Sequence, residues 1–224
     1  MTIRLDDATE RDDLGAFTAR VVRLDQTASM QLRSAGGFVT AWAHTPFDVL
    51  VTRSVAGSME PAQRAVLASS LLTSLAVDRS ESVDPGPAAG PWAEELPPDG
   101  GWAVVDDIPA GELDSLAERG IALAREHAGP MGPPASLLDQ TVLTVSPPSA
   151  GPGPADGSAK PVRAVKVQMR VLFAMSGMGF LGDSGTSGQE PVVRVSATGS
   201  WVRLDARYGA VVRRRLTSLP LLTV

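Results

Sequence analysis

The 224-residue sequence has no cysteine, two histidines, two lysines and one tyrosine. With no thiol there is no disulfide, no thiolate zinc site and no cysteine nucleophile. His44 and His127 alone cannot build a histidine-rich metal site within one chain. Long apolar runs are missing too. Stretches such as 171–175 and 216–224 fall far short of the roughly 18 residues that a membrane span needs. Residues 1–13 carry several acids and lack the apolar core of a signal peptide. These absences lead us to expect a cytoplasmic protein with no membrane association, no metal and no cofactor.

What is present is ordinary for a globular chain. Hydrophobic residues at 43% and charged residues at 20% lie outside the composition regime of disorder. A domain of this length buries roughly 70% of the surface its unfolded chain exposes, so it needs no staples. Basic charge comes from arginine, with lysine only at Lys160 and Lys166, a bias that fits a GC-rich bacterial coding genome. The net charge of −5 is unevenly placed. Residues 1–159 hold 10 basic and 22 acidic side chains, whereas residues 160–224 hold 10 basic and 3 acidic ones. Either the two parts attract each other within one fold, or the second presents a basic face to an anionic partner. The acidic whole favours the first.

Asp7 or Thr9 can cap a helix that runs to about Leu24, with Leu14, Phe17, Val21 and Leu24 on one buried face. Beyond Asp25 the pattern changes to period two. Met30 and Leu32 alternate with Gln31 and Arg33, Gly36-Gly37 marks a turn, and strands over 38–44 and 47–54 follow. Strands joined this tightly must be antiparallel, because a parallel crossover takes about a dozen residues. A second helix is predicted over 61–77, with Pro61 in its first turn. Residues 78–100 read as a long Pro/Gly-rich loop and 102–105 as a short strand. A third helix follows Asp107 and Pro109 and stops at Gly129-Pro130. A helical turn over 136–140 leads into a strand ending at Val145. Residues 146–161, with five prolines and three glycines, read as the tip of an over-long hairpin whose arms are 141–145 and 162–167. A short helix over 169–178, strands over 192–196 and 201–205, and a segment to Arg215 complete the chain; no internal repeat is convincing. The prediction is one α+β domain over 1–224: a mostly antiparallel sheet packed on one face by three to four amphipathic helices, with long loops near 78–100 and 146–161.

Several strings carry chemical suggestions. Gly182-Asp183-Ser184-Gly185, together with Thr40-Ala41-Trp42-Ala43-His44, resembles the GDSGGP and TAAHC segments of chymotrypsin-like serine proteases. The resemblance implies Ser184 as nucleophile and His44 as its base, with an aspartate orienting the imidazole. The sequence departs from the pattern in three ways. It lacks the second GGP half, it holds one residue more between threonine and histidine, and its amphipathic helices do not suit a double β-barrel. The extra residue would turn a strand histidine to the opposite face. Gly177-Met178-Gly179-Phe180-Leu181-Gly182, with Asp205 further on, has the spacing of a dinucleotide fingerprint, but that device needs a helix directly after the glycines. Residues 168–173 (QMRVLF) resemble the short peptides that dock onto bacterial sliding clamps; such peptides must be exposed, and this one is apolar enough for a core.

The acids Asp6, Asp7, Glu10, Asp12 and Asp13, and later Asp106 and Asp107, sit at predicted helix starts, where they complement the helix dipole more readily than they bind a cation. His127 falls near a helix end and suits the opposite pole. Arg203, Arg207, Arg213, Arg214 and Arg215, with Trp201 and Tyr208 nearby, form a candidate anion-binding set able to contact phosphates. The alternative is a charged strand edge. The uncharged tail from Leu216 to Val224 should be buried, either within the domain or across a homo-oligomer interface. No catalytic constellation survives these tests. The leading expectation is a non-catalytic binding module acting as a homo-oligomer through its tail, with a protein partner in view and nucleic acid not the expected one. The alternatives are a hydrolase using Ser184 and His44, and a nucleic-acid or nucleotide phosphate binder using the C-terminal arginines.

Overall fold

The computed structural model describes residues 2–77, 80, 82–127, 129, 134–147, 164–182 and 191–215. The chain opens with a strand that sequence periodicity does not reveal, β1 (Thr2–Leu5), before α1 (Ala8–Leu24). Asp7 caps that helix, its Oδ1 accepting from the backbone amides of Thr9 at 2.7 Å and Glu10 at 3.0 Å. Two of the orphan donors of the first turn are thereby satisfied. Leu14, Phe17 and Val21 form the buried stripe. There follow β2 (Ser29–Ala35), β3 (Phe38–His44), β4 (Leu50–Glu60), β5 (Gln63–Leu67) and α2 (Ala68–Val77). The helix predicted over 61–77 therefore begins only at Ala68. Residues 63–67 are strand because they pair antiparallel with β2, Met30 standing opposite Val66, and tertiary pairing overrides local propensity.

A two-residue strand, β6 (Ser82–Val83), lies within an otherwise irregular stretch that ends at β7 (Ala103–Pro109), and α3 (Ala110–Glu126) follows directly. Asp107 does not open α3. It is part of β7, where its carboxylate takes both hydrogen bonds of the Arg194 guanidinium, and Pro109 occupies the cap position without a side-chain bond. His127 is the residue just past the C-terminus, its amide donating to the Leu123 carbonyl. The short α4 (Ala135–Asp139), β8 (Thr141–Val145), β9 (Val165–Gln168) and α5 (Met169–Gly177) come next, then β10 (Val192–Thr198), β11 (Trp201–Ala206) and β12 (Gly209–Arg214). β8 and β9 pair with each other across the proline-rich segment, as the hairpin reading requires. Most of that segment lies outside the described residues, as does the tail 216–224.

The fold is α+β, built on one large sheet in the order β5-β2-β3-β4-β12-β11-β10-β7. Every pairing within it is antiparallel. The order is symmetric: an edge strand and a three-stranded meander on one side (β5, then β2-β3-β4) meet the same arrangement on the other (β7, then β10-β11-β12). The seam is the β4–β12 pairing, where Leu50, Val51 and Thr52 face Val212, Val211 and Ala210. The far end of β4 leaves this sheet and pairs with β1. α1 packs on α2, and α3 on α5. All helical core residues belong to one apolar cluster with Val39, Ala41, Val51, Val195 and Val211 from the alternate strand positions. Burying a side chain such as Phe17, stacked on Phe180 with centroids 6.5 Å apart, contributes about 1.5–3 kcal/mol.

The opposite face of the sheet has its own small apolar cluster. Trp42, Leu50, Trp201 and Val212 are buried there beneath Trp92, Leu96 and Trp102 of the irregular segment. Helices thus cover one face, and an extended loop covers the other.

Candidate functional site

β12 ends in Arg213 and Arg214, with Arg215 directly after it, and alternation sends the first two to opposite sides of the sheet. Arg213 turns toward α5 and the loop after β3. Its Nη2 lies 3.7 Å from Asp48, and its side chain is only 13% exposed. Burial, and next the neighbouring Arg170 guanidinium, hold Arg213 below the ordinary arginine pKa, with Asp48 and Asp139 opposing. Arg170, on the first turn of α5, donates to the Phe47 carbonyl at 3.0 Å, to Asp48 at 3.1 Å and to Asp139. Arg214 reaches the loop side and pairs with Glu95. Arg215 Nη2 donates to the Gly199 carbonyl at 2.6 Å.

These three arginines line an open cleft of about 620 Å³ together with Thr141, Ala164, Lys166, Gln168, Val171, Gly199 and Val202. No carboxylate lines it among the described residues. The other two arginines of the candidate set stand apart. Arg203 is bonded to Asp205 at 2.7 Å and lies over the Trp102 ring. Arg207 lies over Tyr208, and its carbonyl accepts from Arg53 at 2.9 Å. Lys166 was not among the sequence candidates. The one signal for it is the alternation Val165-Lys166-Val167-Gln168, which buries the valines and leaves the lysine outward.

A second cleft of about 240 Å³ shares Arg213 and Arg214 and adds His44, Asp48, Glu94, Glu95 and Trp201. His44 Nε2 sits 3.6 Å from Asp48 Oδ1. The two are too far apart for a hydrogen bond, and none of the described residues lining the cleft carries a hydroxyl. Ser184, the nucleophile of the hydrolase reading, lies outside the described residues. Gly177 is the last residue of α5, and the residues after Gly182, where a dinucleotide turn would need its helix, lie outside the described residues. Residues 169–173 are buried within α5 and are not a free peptide. The N-terminal acids have structural partners: Glu10 accepts from the Ala56 amide at 2.9 Å, and Asp13 pairs with Arg53. Among the described residues no three of His, Asp and Glu gather as a metal would need. No helix is long and apolar enough to cross a membrane among the described residues.

The fold is similar to that of solved DNA polymerase sliding clamps. Caulobacter crescentus pol III beta superposes with a TM-score of 0.58 at 15% identity, covering 98% of this chain and 66% of that one. The Bacillus subtilis sliding clamp gives 0.54 at 13% identity, covering 97% and 64%. The Pseudomonas aeruginosa clamp gives 0.54 at 14% identity, covering 98% and 65%. This chain therefore spans just under two thirds of the clamp length. The chain belongs to the family described as domain of unknown function DUF8185, whose model matches residues 97–218. A second model, domain of unknown function DUF8010, matches residues 1–95, so the two meet in the segment that crosses the outer sheet face. No curated protein matches the chain.

Proposed function

We propose that this protein is a non-catalytic, clamp-like scaffold that associates with further copies of itself and presents the loop-covered side of its sheet to a protein partner. The observation that carries the reading is the state of the two ends of the sheet. β7 pairs only with β10, and its outer side is unpaired among the described residues. Beside it Val104 and Val192 are about half exposed, at 55% and 52%. A bare edge with exposed apolar side chains is a template for another strand. The other end, β5, is covered at one point, where the Ala89 amide donates to the Ala65 carbonyl and Ala88 bridges Val66. Leu67 remains 39% exposed there and Val77 of α2 78%.

The occupant we assign to β7 is the β5 end of a second copy. Pairing two β7 strands would bring the exposed Asp106 of both copies close, and like charges across a strand pair are unfavourable. β5 instead offers Arg64, which has no carboxylate partner among the described residues, and the apolar Leu67. Such a contact is head-to-tail and propagates from copy to copy, closing when the rotation permits. The tail 216–224, predicted from sequence to make the interface, lies outside the described residues and is not needed by this arrangement.

Absence of catalysis is part of the proposal. Its support is that His44 and Asp48 meet no hydroxyl or thiol among the residues lining their cleft. Duplex nucleic acid is not the partner we assign. The exposed face of α3 carries Glu112, Asp114 and Glu118 against Arg119 and Arg125, which gives no net basic surface for phosphates. The test is the solution mass of the intact chain and of variants altered at each sheet end.

A further inference from the structure

The cleft at the end of β12 holds cationic donors that the protein itself leaves unused. Arg213 Nη1 and Arg215 Nε are buried and have no hydrogen-bond partner among the described residues, and the same is true of Nε on Arg170, whose charge acts on Arg213. Lys166 points to the same cleft from β9 and makes no ion pair with a described residue. The local charge does not balance. Among the described residues, Lys166, Arg170, Arg213, Arg214 and Arg215 face four carboxylates, those of Asp48, Glu94, Glu95 and Asp139. Among these described groups the balance stays positive. Buried charged groups are ordinarily paired, so an excess concentrated on one cleft marks a place for an anion.

We propose that this cleft binds a phosphomonoester with a partly apolar body, of nucleotide size. The donors gathered at the cleft suit the several oxygens of a phosphate monoester. Three oxygens on one phosphorus can accept from Lys166, Arg213 and Arg215 together, which a two-oxygen carboxylate does less completely. The cleft is far larger than one phosphate, and Val171 and Val202 give it apolar wall. Gln168 and Thr141 supply neutral donors and acceptors at the rim. The site is distinct from the sheet ends and does not rest on the self-association reading.

The test is calorimetric titration of the full chain with AMP, adenosine and inorganic phosphate, in parallel with a series of single-stranded oligonucleotides. The expected result is saturable AMP binding, with adenosine silent and inorganic phosphate weaker. Lys166→Ala or Arg215→Ala should each weaken AMP by about tenfold or more, since a charge-assisted bond of about 1.5–3 kcal/mol is lost. Arg207→Ala, which alters an arginine outside the cleft, should leave the affinity unchanged. The inference is overturned if AMP gives no heat with folded protein, or if neither cleft variant changes its affinity. It is equally overturned if adenosine matches AMP, or if affinity climbs with oligonucleotide length, which would mean an extended strand and not a small phosphomonoester.

Discussion

Leu50 of β4 stands directly opposite Val212 of β12, and this pair, with its two neighbours, is the seam that makes one sheet out of two halves, each a three-stranded meander with an added edge strand. On one side of the seam Val51 and Val211 enter the helix-covered core; on the other Leu50 and Val212 join the tryptophan cluster under the loop. Both faces of the junction are therefore apolar and buried.

A seam buried on both sides should couple the halves. Val211→Ala removes two methyl groups at a fully buried position and should cost about 2–3 kcal/mol. In urea, one cooperative transition is expected, shifted as a whole whether followed by tryptophan fluorescence or by helical signal. Two transitions with only one displaced would mean that residues 1–95 and 97–218 unfold separately, against our reading of a single domain.

Gly209 opens β12 at φ 151°, and a Cβ there would lie 2.5 Å from the Phe180 ring and 2.8 Å from the Thr52 carbonyl. Neither backbone nor a ring stacked on Phe17 gives way easily. Gly209→Ala should destabilise the chain by about 1–3 kcal/mol, read from the denaturation midpoint at unchanged slope. Gly15→Ala, where nothing lies within 4 Å, is the control and should not destabilise.

Asp107 and Arg194 tie β7 to β10 through two hydrogen bonds of 2.9 and 3.0 Å. Those bonds, and secondarily the Arg194 charge, hold the Asp107 carboxyl below its ordinary value. A carboxyl depressed in the folded state contributes stability above the unfolded-state pKa and loses it as pH falls through the folded one. The stability gap between the native chain and Asp107→Asn should therefore be full at neutral pH and narrow below about pH 4. A gap that stays constant down to pH 2 would show that the pair contributes nothing.

Much of the fold is legible in the residues, and the exceptions have identifiable causes. α1 and α3 follow from apolar stripes at helical spacing, and the β8–β9 hairpin from two apolar runs flanking a proline-rich gap. Residues 63–67 mislead because Pro61 and the apolar spacing suit a helix, while the deciding partner, β2, is some thirty residues away. Asp107 looks like a cap because it stands near a helix start, but Arg194 claims it from another strand. The symmetry of the sheet is invisible in sequence because the equivalent strands share no residue pattern. The site was partly visible: the run Arg213-Arg214-Arg215 is plain, whereas its companion Lys166 is an isolated lysine until the fold brings β9 beside β12. Arg203 and Arg207 adjoin the run in sequence, and in the fold they lie against Asp205 and Tyr208.

The most direct test of the scaffold reading is sedimentation of two single-end variants, Val104→Glu on β7 and Leu67→Glu on β5, alone and mixed. The native chain should associate at micromolar concentration. Each variant alone should be monomeric, and the equimolar mixture should form a one-to-one pair, because one intact β5 end and one intact β7 end remain to meet. A native chain that stays monomeric at every concentration, or variants that associate as well as it does, would contradict the account.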